Sequence, residues 1–482
     1  MMRSSSSPNQ PASGAAGDRD PAFPTVEKID ASCRGALMFL FTAALLWLAL
    51  SSLFAVLGSV KMHAAGMLAN VDWLTYGRVR PAAVDMFLYG FLSQAGIAAA
   101  IWILCRLGKV ALVSGVTLIV GAVFWNLGVL LGVFGIFTGQ STGYEWFEFP
   151  QYAVAVLFVA YLIMGIVGLL TFAYRNERHT YVSQWFILAA FFIFPWLLST
   201  AGLLLLVSPV RGATQAAIAY WFANGFLLLW LMPLALGIIF YMVPKVSNQL
   251  LNNHYLAVIS FWSWLLTAGW SGIPVGARLP AWMPSVSTVA SVLLLVPAVA
   301  MFINWRATWI KSPAKQEGGV AFKFISFAAF AFILWALAFA ANFLPPVAQV
   351  VEFTLFGLAI AQLATYGVVA MAIFGAIYFI VPRIAGTEWI FGRVKGHFLF
   401  SVAGLVLIVF AWGVGGILQG TSWNNPLSDF MKSVRVAVPF IGIGTIGFLL
   451  LLIAHLLFLS NLVSVIRRCC TACCGSGKEA RK

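Results

Sequence analysis

The sequence predicts an all-α integral membrane protein with twelve transmembrane helices in a single bundle. Of the 482 residues, 62% are hydrophobic and 9% are charged, and the mean hydropathy is +0.96. Apolar runs of about 20 residues, the length that crosses the hydrocarbon core of a bilayer, recur along nearly the whole chain. A transmembrane β-barrel is excluded, because its strands would be short and would alternate polar with apolar residues.

Each helix is placed where a long apolar run lies between two polar segments. The predicted helices span residues 36–60, 81–105, 110–137, 151–174, 184–208, 215–243, 255–272, 284–305, 321–342, 350–381, 398–419 and 436–465. No segment between them is long enough to fold as a separate soluble module. The sequence therefore predicts one membrane domain over residues 34–466.

The net charge of +14 indicates topology and not a nucleic-acid partner. Twelve helices place both chain ends on one side of the membrane. That side carries 21 of the 28 Lys and Arg residues, and the other side carries 7. Because cytoplasmic loops are enriched in Lys and Arg, both ends are predicted to be cytoplasmic. A bacterial inner membrane with a multi-pass chain is the predicted location.

The two ends of the chain are predicted to be tails outside the bundle. Residues 1–33 are polar and mixed in charge, lack the apolar core of a secretory signal, and are predicted to be a disordered cytoplasmic tail. Residues 467–482 form a basic, Cys-rich tail. Its cysteines could ligate zinc or an iron–sulfur cluster or be acylated, but reduced thiols without a specific role are favoured. These cysteines are Cys469, Cys470, Cys473 and Cys474. Cys33 and Cys105 stand alone near helix ends.

Histidine is scarce, and this limits the metal chemistry that the bundle could support. The five histidines are His63, His179, His254, His397 and His455. Only His455 falls well within a predicted apolar span. Because a single intramembrane histidine is more often hydrogen-bonded inside a bundle than bound to a metal, a structural role is favoured for it.

Four segments occur in order along the chain: 73–81 (WLTYGRVRP), the end of helix six at 239–245 (IFYMVPK), helix seven with the following 279–282 (LPAW), and helix ten, which opens at 350–354 (VVEFT) and closes at 379–383 (FIVPR). They resemble the catalytic subunit of C-family (cbb-type) haem-copper oxidases. With the twelve helices and the matching orientation, the similarity covers roughly residues 36–465 and implies an oxidase-like twelve-helix bundle.

The resemblance also implies six histidine ligands, for two haems and one copper ion, and none of them is present. The position of one low-spin haem ligand falls on Ala83. The first copper ligand falls on Asn224, and the adjacent copper pair falls on Pro274 and Val275. The His-x-His motif of helix ten, which serves both haems, falls on Ile360 and Gln362.

Other donors do not replace these ligands in the sequence. The family's reactive tyrosine falls on Ala268, and no histidine occurs between residues 255 and 396, so a register shift in helix ten restores nothing. Met86 and Met371 lie in the relevant helices, but ordinary packing is the favoured role for both. We therefore predict no catalytic residue, no metal site, and neither haem nor copper.

A few polar side chains remain inside the predicted helices, where they are costly. Arg80 faces haem propionates in the family, and without haem its charge needs another partner. We predict that Arg80 pairs with Glu352 or a cluster of carbonyl groups, while Asp85 faces the emptied haem cavity. Arg80, Asp85, Glu352 and Gln362 are the candidate polar network. Packing of a collapsed core is favoured over a proton or ion path.

The sequence favours a non-catalytic relative of cytochrome c oxidase subunit I with a structural or assembly role in a respiratory or other membrane complex. Proton or metal-ion transport through the emptied haem cavity is one alternative. A working terminal oxidase, oxidising cytochrome c with oxygen, is what family membership alone would imply. The predicted partners are other membrane subunits, among them a ligand-complete oxidase paralogue or a membrane-anchored cytochrome c, and not nucleic acid.

Overall fold

A computed structural model describes the backbone of residues 24–310 and 319–479, and the side chains as far as residue 469. The described chain is built from helices joined by turns and short loops. We number its twelve long helices in chain order. They are α1 Val26–His63, α2 Tyr76–Gly108, α3 Gly115–Phe137, α4 Gln151–Ala173, α5 Val182–Val207, α6 Ala213–Ser247, α7 His254–Ala268, α8 Trp282–Ile310, α9 Val320–Asn342, α10 Leu355–Ala385, α11 Phe391–Trp423 and α12 Phe430–Glu479.

The all-helical membrane fold predicted from the sequence is confirmed. Among the described residues, eleven of these helices are long and apolar enough to span a membrane. The exception is α7, which has 15 residues and ends four residues earlier than predicted. At about 1.5 Å per residue it covers roughly 22 Å, which is less than the hydrocarbon core of a bilayer.

Both ends of the bundle differ from the predicted tails. Helix α1 begins at Val26, where Thr25 Oγ1 accepts a hydrogen bond from the Lys28 amide at 3.4 Å. Residues 26–33 are therefore helical and not disordered. Helix α12 continues to Glu479, so most of the predicted C-terminal tail is helical. The side chains of Cys470, Cys473 and Cys474, and the backbone of residues 1–23, lie outside the described part of the chain.

Three helices form the interior of the bundle. In the most apolar 18-residue window of α2, α6 and α10, 94%, 100% and 83% of the residues are buried, against 33–56% in the other spanning helices. The outer helices bury one side and leave the other for lipid or a partner. The three inner helices are also those in which the resemblance places most of the ligand positions.

Glycine allows α11 to approach the start of α10 very closely. A Cβ at Gly416 would overlap the Phe356 amide nitrogen, and a Cβ at Gly420 would overlap the Val350 carbonyl oxygen. This contact holds the short helix Pro345–Val351 and the first turn of α10 against α11. We call the end of the bundle where α10 starts the opposite face, and the end that carries both chain ends the terminal face.

Candidate functional site

A cavity of about 140 Å³ lies between α1, α2, α10, α11 and α12, in the half of the bundle nearer the opposite face. Its walls are mostly apolar and include Phe87, Trp412 and Phe448. Polar side chains enter it from four of the five helices. These are Ser51, Ser52 and Ser59 from α1, Tyr76 and Arg80 from α2, Gln362, Thr365 and Tyr366 from α10, and His455 from α12, and the segment 138–150 adds Glu145.

Two of the predicted ligand positions meet at this cavity. Ala83 lines it from α2 and Gln362 lines it from α10, so the fold brings together residues that are far apart in the sequence. Ile360, two residues before Gln362, is buried and does not line the cavity. A methyl group and a carboxamide stand at two positions where the resemblance predicts imidazole ligands.

The copper positions lie in a separate, tightly packed region. Asn224 Nδ2 donates to the Gly272 carbonyl oxygen at 2.7 Å and to the Tyr220 carbonyl oxygen at 2.9 Å. Gly272 has φ +95°, and a Cβ there would overlap the Asn224 carboxamide. The side-chain amide of Asn224 is thus used in holding the chain after α7, and Pro274 and Val275 follow directly in that chain.

A widened helical turn follows the ligand positions in each inner helix. The hydrogen-bonding pattern is that of a π-helix over Met86–Ser93 in α2, Phe226–Leu231 in α6 and Leu363–Ala370 in α10. π-Helical segments are rare in proteins as a whole. Those that occur often lie at functional sites, because the extra residue in the turn redirects the side chains beyond it. Each inner helix of the described chain therefore has a local distortion beside the positions to which the resemblance assigns ligands.

His455 is hydrogen-bonded on both sides of its ring, as the sequence predicts for a structural histidine. Its Nδ1 is bonded to Ser52 Oγ, and its Nε2 lies 2.9 Å from the Tyr366 hydroxyl. The Tyr366 hydroxyl also lies 3.0 Å from Ser401 Oγ. Because both nitrogens are engaged, this imidazole has no free lone pair to offer a metal.

His397 is a second buried histidine, which the sequence analysis placed at a span end and did not single out. It is fully buried in α11, and its Nδ1 is hydrogen-bonded to the Tyr378 hydroxyl at 2.8 Å. Its Nε2 has no hydrogen-bond partner. The rings of Phe458 and Phe374 lie 4.5 and 4.6 Å from the imidazole ring, so packing encloses it.

The predicted polar network does not form, and the prediction for Arg80 is wrong. Arg80 lines the cavity and makes no hydrogen bond or ion pair with the described residues. Glu352 instead accepts a hydrogen bond of 3.4 Å from the Gly276 amide, and partial burial raises the pKa of its carboxyl group. Gln362 is the one other member of the predicted network that lines the cavity.

Asp85 does not line the cavity as predicted. It is fully buried, and neither carboxylate oxygen has a hydrogen-bond partner. Its neighbour is Glu148, in the segment 138–150 between α3 and α4, which the sequence analysis did not single out. No sequence signal marks this pairing, because the two carboxyl groups lie on different elements.

The sequence analysis also missed a contact between two cysteines. Cys33 on α1 and Cys105 on α2 are both fully buried, and their sulfur atoms lie 3.7 Å apart. Asp30, one turn before Cys33, accepts hydrogen bonds from Trp102 Nε1 at 3.0 Å and from Arg106 at 2.9 Å. This ion pair fastens the terminal-face ends of α1 and α2 together.

The residues present do not fit the haems or the copper ion of the resembling family. Among the described residues, no group of three or more His, Cys, Asp or Glu side chains could hold a metal ion. The cavity beside Ala83 has about the volume that binds a single benzene ring in other proteins, whereas a haem has four pyrrole rings.

Comparison with known proteins gives one consistent family. Residues 35–450 match the family described as cytochrome c and quinol oxidase polypeptide I. The chain is 25% identical over 402 residues to the cbb3-type cytochrome c oxidase subunit CcoN1 of Stutzerimonas stutzeri, covering 78% of this chain and 83% of the relative. It is 26% identical over 426 residues to cytochrome c oxidase subunit 1 of Rhodobacter capsulatus, covering 82% and 78%.

A solved structure agrees with this family at the level of the fold. A haem-copper terminal oxidase dimer, determined by electron cryomicroscopy, superposes with a TM-score of 0.71 at 13% sequence identity. The superposition covers 89% of this chain and 84% of that chain.

Proposed function

The chain belongs to the cytochrome c and quinol oxidase polypeptide I family, and from this premise we propose that it is a non-catalytic, subunit I-like component of a respiratory membrane complex. Its role in that complex is structural or in assembly. Bacterial relatives with the same fold support a multi-pass bacterial membrane protein, and the charge distribution of the loops favours the inner membrane.

One observation carries this proposal. Ala83 and Gln362 face one cavity from two inner helices, at positions where the resemblance predicts imidazole ligands, and neither side chain can ligate haem iron in their place. The buried imidazole beside them, His455, has both nitrogens in hydrogen bonds. Oxygen reduction by this family requires a haem iron facing a copper ion, and no cluster of metal-binding side chains among the described residues supports either.

The proposal is tested by purifying the full chain and measuring its visible absorption spectrum, its iron and copper content, and its oxygen uptake with reduced cytochrome c. We expect no Soret band, no stoichiometric metal and no oxygen uptake. A stoichiometric Soret band from the chain purified alone would overturn the proposal. It would favour a terminal oxidase, the activity that the names of the relatives state for those proteins.

Partners are tested in native membranes. The large apolar outer faces of the bundle and the membership of its relatives in multisubunit oxidases support association with other membrane subunits. We propose a ligand-complete oxidase paralogue or a membrane-anchored cytochrome c as the partner. Affinity purification after mild solubilisation should recover a haem-containing subunit at constant stoichiometry. Recovery of the chain alone from membranes that contain such subunits would contradict this.

A second candidate function is the movement of protons or metal ions through the cavity. The observation that favours it is the buried hydrogen-bonded series Ser52–His455–Tyr366–Ser401, which extends from the cavity wall into the bundle. Proteoliposomes with an entrapped pH-sensitive dye test it under an imposed membrane potential. A proton flux that the substitution His455→Phe abolishes would support this function over a purely structural one.

A further inference from the structure

Asp85 is a buried carboxyl group in α2. It is 0% exposed, and neither of its carboxylate oxygens has a hydrogen-bond partner among the described residues. A buried, ionised carboxylate without a partner is strongly unfavourable, so such a group is neutralised by a proton, paired with a cation or bound to a metal. Each of these three states requires a particular kind of group next to the carboxylate.

The neighbour is a second carboxyl group, that of Glu148. The Tyr89 hydroxyl, one turn after Asp85, donates to the carbonyl oxygen of Trp146, two residues before Glu148, and so brings the two carboxyl groups next to each other. The Oε2 atom of Glu148 is also buried and has no hydrogen-bond partner among the described residues. Burial raises the pKa of Glu148 to about 7. Two carboxyl groups in contact cannot both ionise at low energy, whereas a carboxylic acid donates a strong hydrogen bond to a carboxylate.

No cationic side chain takes part in this contact. Arg78 of the same helix donates to the Phe137 carbonyl oxygen at 3.0 Å, and Arg80 lines the cavity. The further charged group that acts on Glu148 is Glu145, which is negative as well, and the phenol of Tyr89 lies beside both carboxyl groups. All the charges that act on the pair thus favour uptake of a positive ion.

A metal ion is a poorer occupant than a proton. The group has two carboxyl side chains, and no cluster of three or more His, Cys, Asp or Glu side chains occurs in the described part of the chain. Hard divalent cations take six or more oxygen ligands. A proton needs only the two facing oxygen atoms that the structure provides.

We propose that Asp85 and Glu148 form a proton-binding site, in which a single proton is held between the two carboxyl groups and exchanges with the opposite face of the membrane. Glu148 is the partly exposed member, on the segment 138–150, and Asp85 is the inner member. The occupied site has a net charge of −1. Loss of the proton leaves two facing carboxylates.

The site holds the segment 138–150 against α2. The second tie between them is the hydrogen bond from the Tyr89 hydroxyl to the Trp146 carbonyl oxygen, 2.8 Å long. Trp146 has φ +61°, a conformation that a non-glycine residue keeps only when its surroundings impose it. Glu145 and Trp146 both line the cavity, so release of the proton loosens the part of the wall that covers it.

The proposal is tested by infrared spectroscopy of the purified full chain during a pH titration. We expect the carbonyl stretch of a protonated carboxylic acid that is sensitive to exchange into D₂O and persists at a pH at which exposed carboxyl groups are ionised. The double substitution Asp85→Asn with Glu148→Gln should remove this band. The substitution Glu148→Asp, which keeps the carboxyl group, should retain the band with a shifted midpoint.

The control is Asp72→Asn, which removes an exposed carboxylate on the same face and should leave the band unchanged. Superimposable titrations of the natural chain and the double variant would overturn the proposal. Elemental analysis that finds one equivalent of a divalent cation, lost in the double variant, would overturn it in favour of a metal site. If the double variant does not fold, the infrared titration and the elemental analysis are compared between the natural chain and Glu148→Asp.

Discussion

The two regions in which the resemblance places metal ligands differ in this fold. Beside Ala83 and Gln362 a cavity of about 140 Å³ remains. At Asn224 the chain after α7 is packed so closely that the side-chain amide donates to the Gly272 carbonyl oxygen. The positions to which the resemblance assigns ligands are therefore packed differently in the two regions. The close packing at Asn224 depends on Gly272, which has a positive φ. In the described chain, no glycine with positive φ lies beside Ala83 in the cavity helices.

The close packing of the Asn224 region is tested most directly at Gly272. The substitution Gly272→Val should lower the free energy of unfolding by about 3–4 kcal/mol, because the side chain overlaps Asn224 and a β-branched residue is strained at φ +95°. Thermal unfolding in detergent, followed by circular dichroism, measures it. The matched control is Gly357→Ala in α10, where a Cβ meets nothing within 4 Å. Equal midpoints for the two variants would show that the Asn224 region is not closely packed.

A pair of alanines compares the two regions directly. Ala268 and Ala83 are 2% and 4% exposed, but only Ala83 borders the cavity. Ala268→Leu should destabilise the fold by about 1–3 kcal/mol through overpacking, whereas Ala83→Leu should leave the unfolding midpoint nearly unchanged. The same unfolding assay measures both. If Ala83→Leu were as damaging as Ala268→Leu, the cavity would not be available to a side chain.

The wall of the cavity should show a pH dependence that depends on Glu148. Its pKa is raised from 4.5 to about 7 by burial, so the folded state prefers the protonated carboxyl group. The resulting stabilisation is complete below pH 4.5 and is lost as the pH rises through 7. On the order of 2 kcal/mol is involved. Glu148→Gln should remove this dependence and be the more stable form above pH 7 in unfolding experiments at several pH values.

The smallest effect concerns the hydrogen bonds that end at His455. Tyr366→Phe removes the hydroxyl bonded to His455 Nε2 and should cost about 1–2 kcal/mol, because a buried imidazole nitrogen is left unpaired. Tyr152→Phe is the control, since its hydroxyl bonds the exposed Gln140 side chain. An unfolding midpoint for Tyr366→Phe no lower than that of the control would mean that water replaces the lost hydroxyl.

Three of the four segments that resemble the oxidase subunit open or close α2, α6 and α10, the three most buried helices, whereas the fourth lies on α7. The sequence did not predict which helices form the interior. Among the tryptophans, Trp230 and Trp264 are fully buried, whereas Trp262 is 57% exposed. Trp262 and Trp264 both lie in α7. Hydropathy alone does not distinguish the exposed one from the buried one, because in a membrane helix the lipid-facing side is as apolar as the buried side.

The sequence by itself determined the helices, because a run of about 20 apolar residues must satisfy its backbone hydrogen bonds internally in a bilayer. It also led to the prediction that the ligand side chains of the resembling family are absent, which remains a prediction. Only the tertiary structure decided which polar groups meet: Asp85 with Glu148, Cys33 with Cys105, and His455 with Tyr366. Such contacts depend on the rotation and relative height of neighbouring helices, which side-chain packing sets and no local pattern in the chain records.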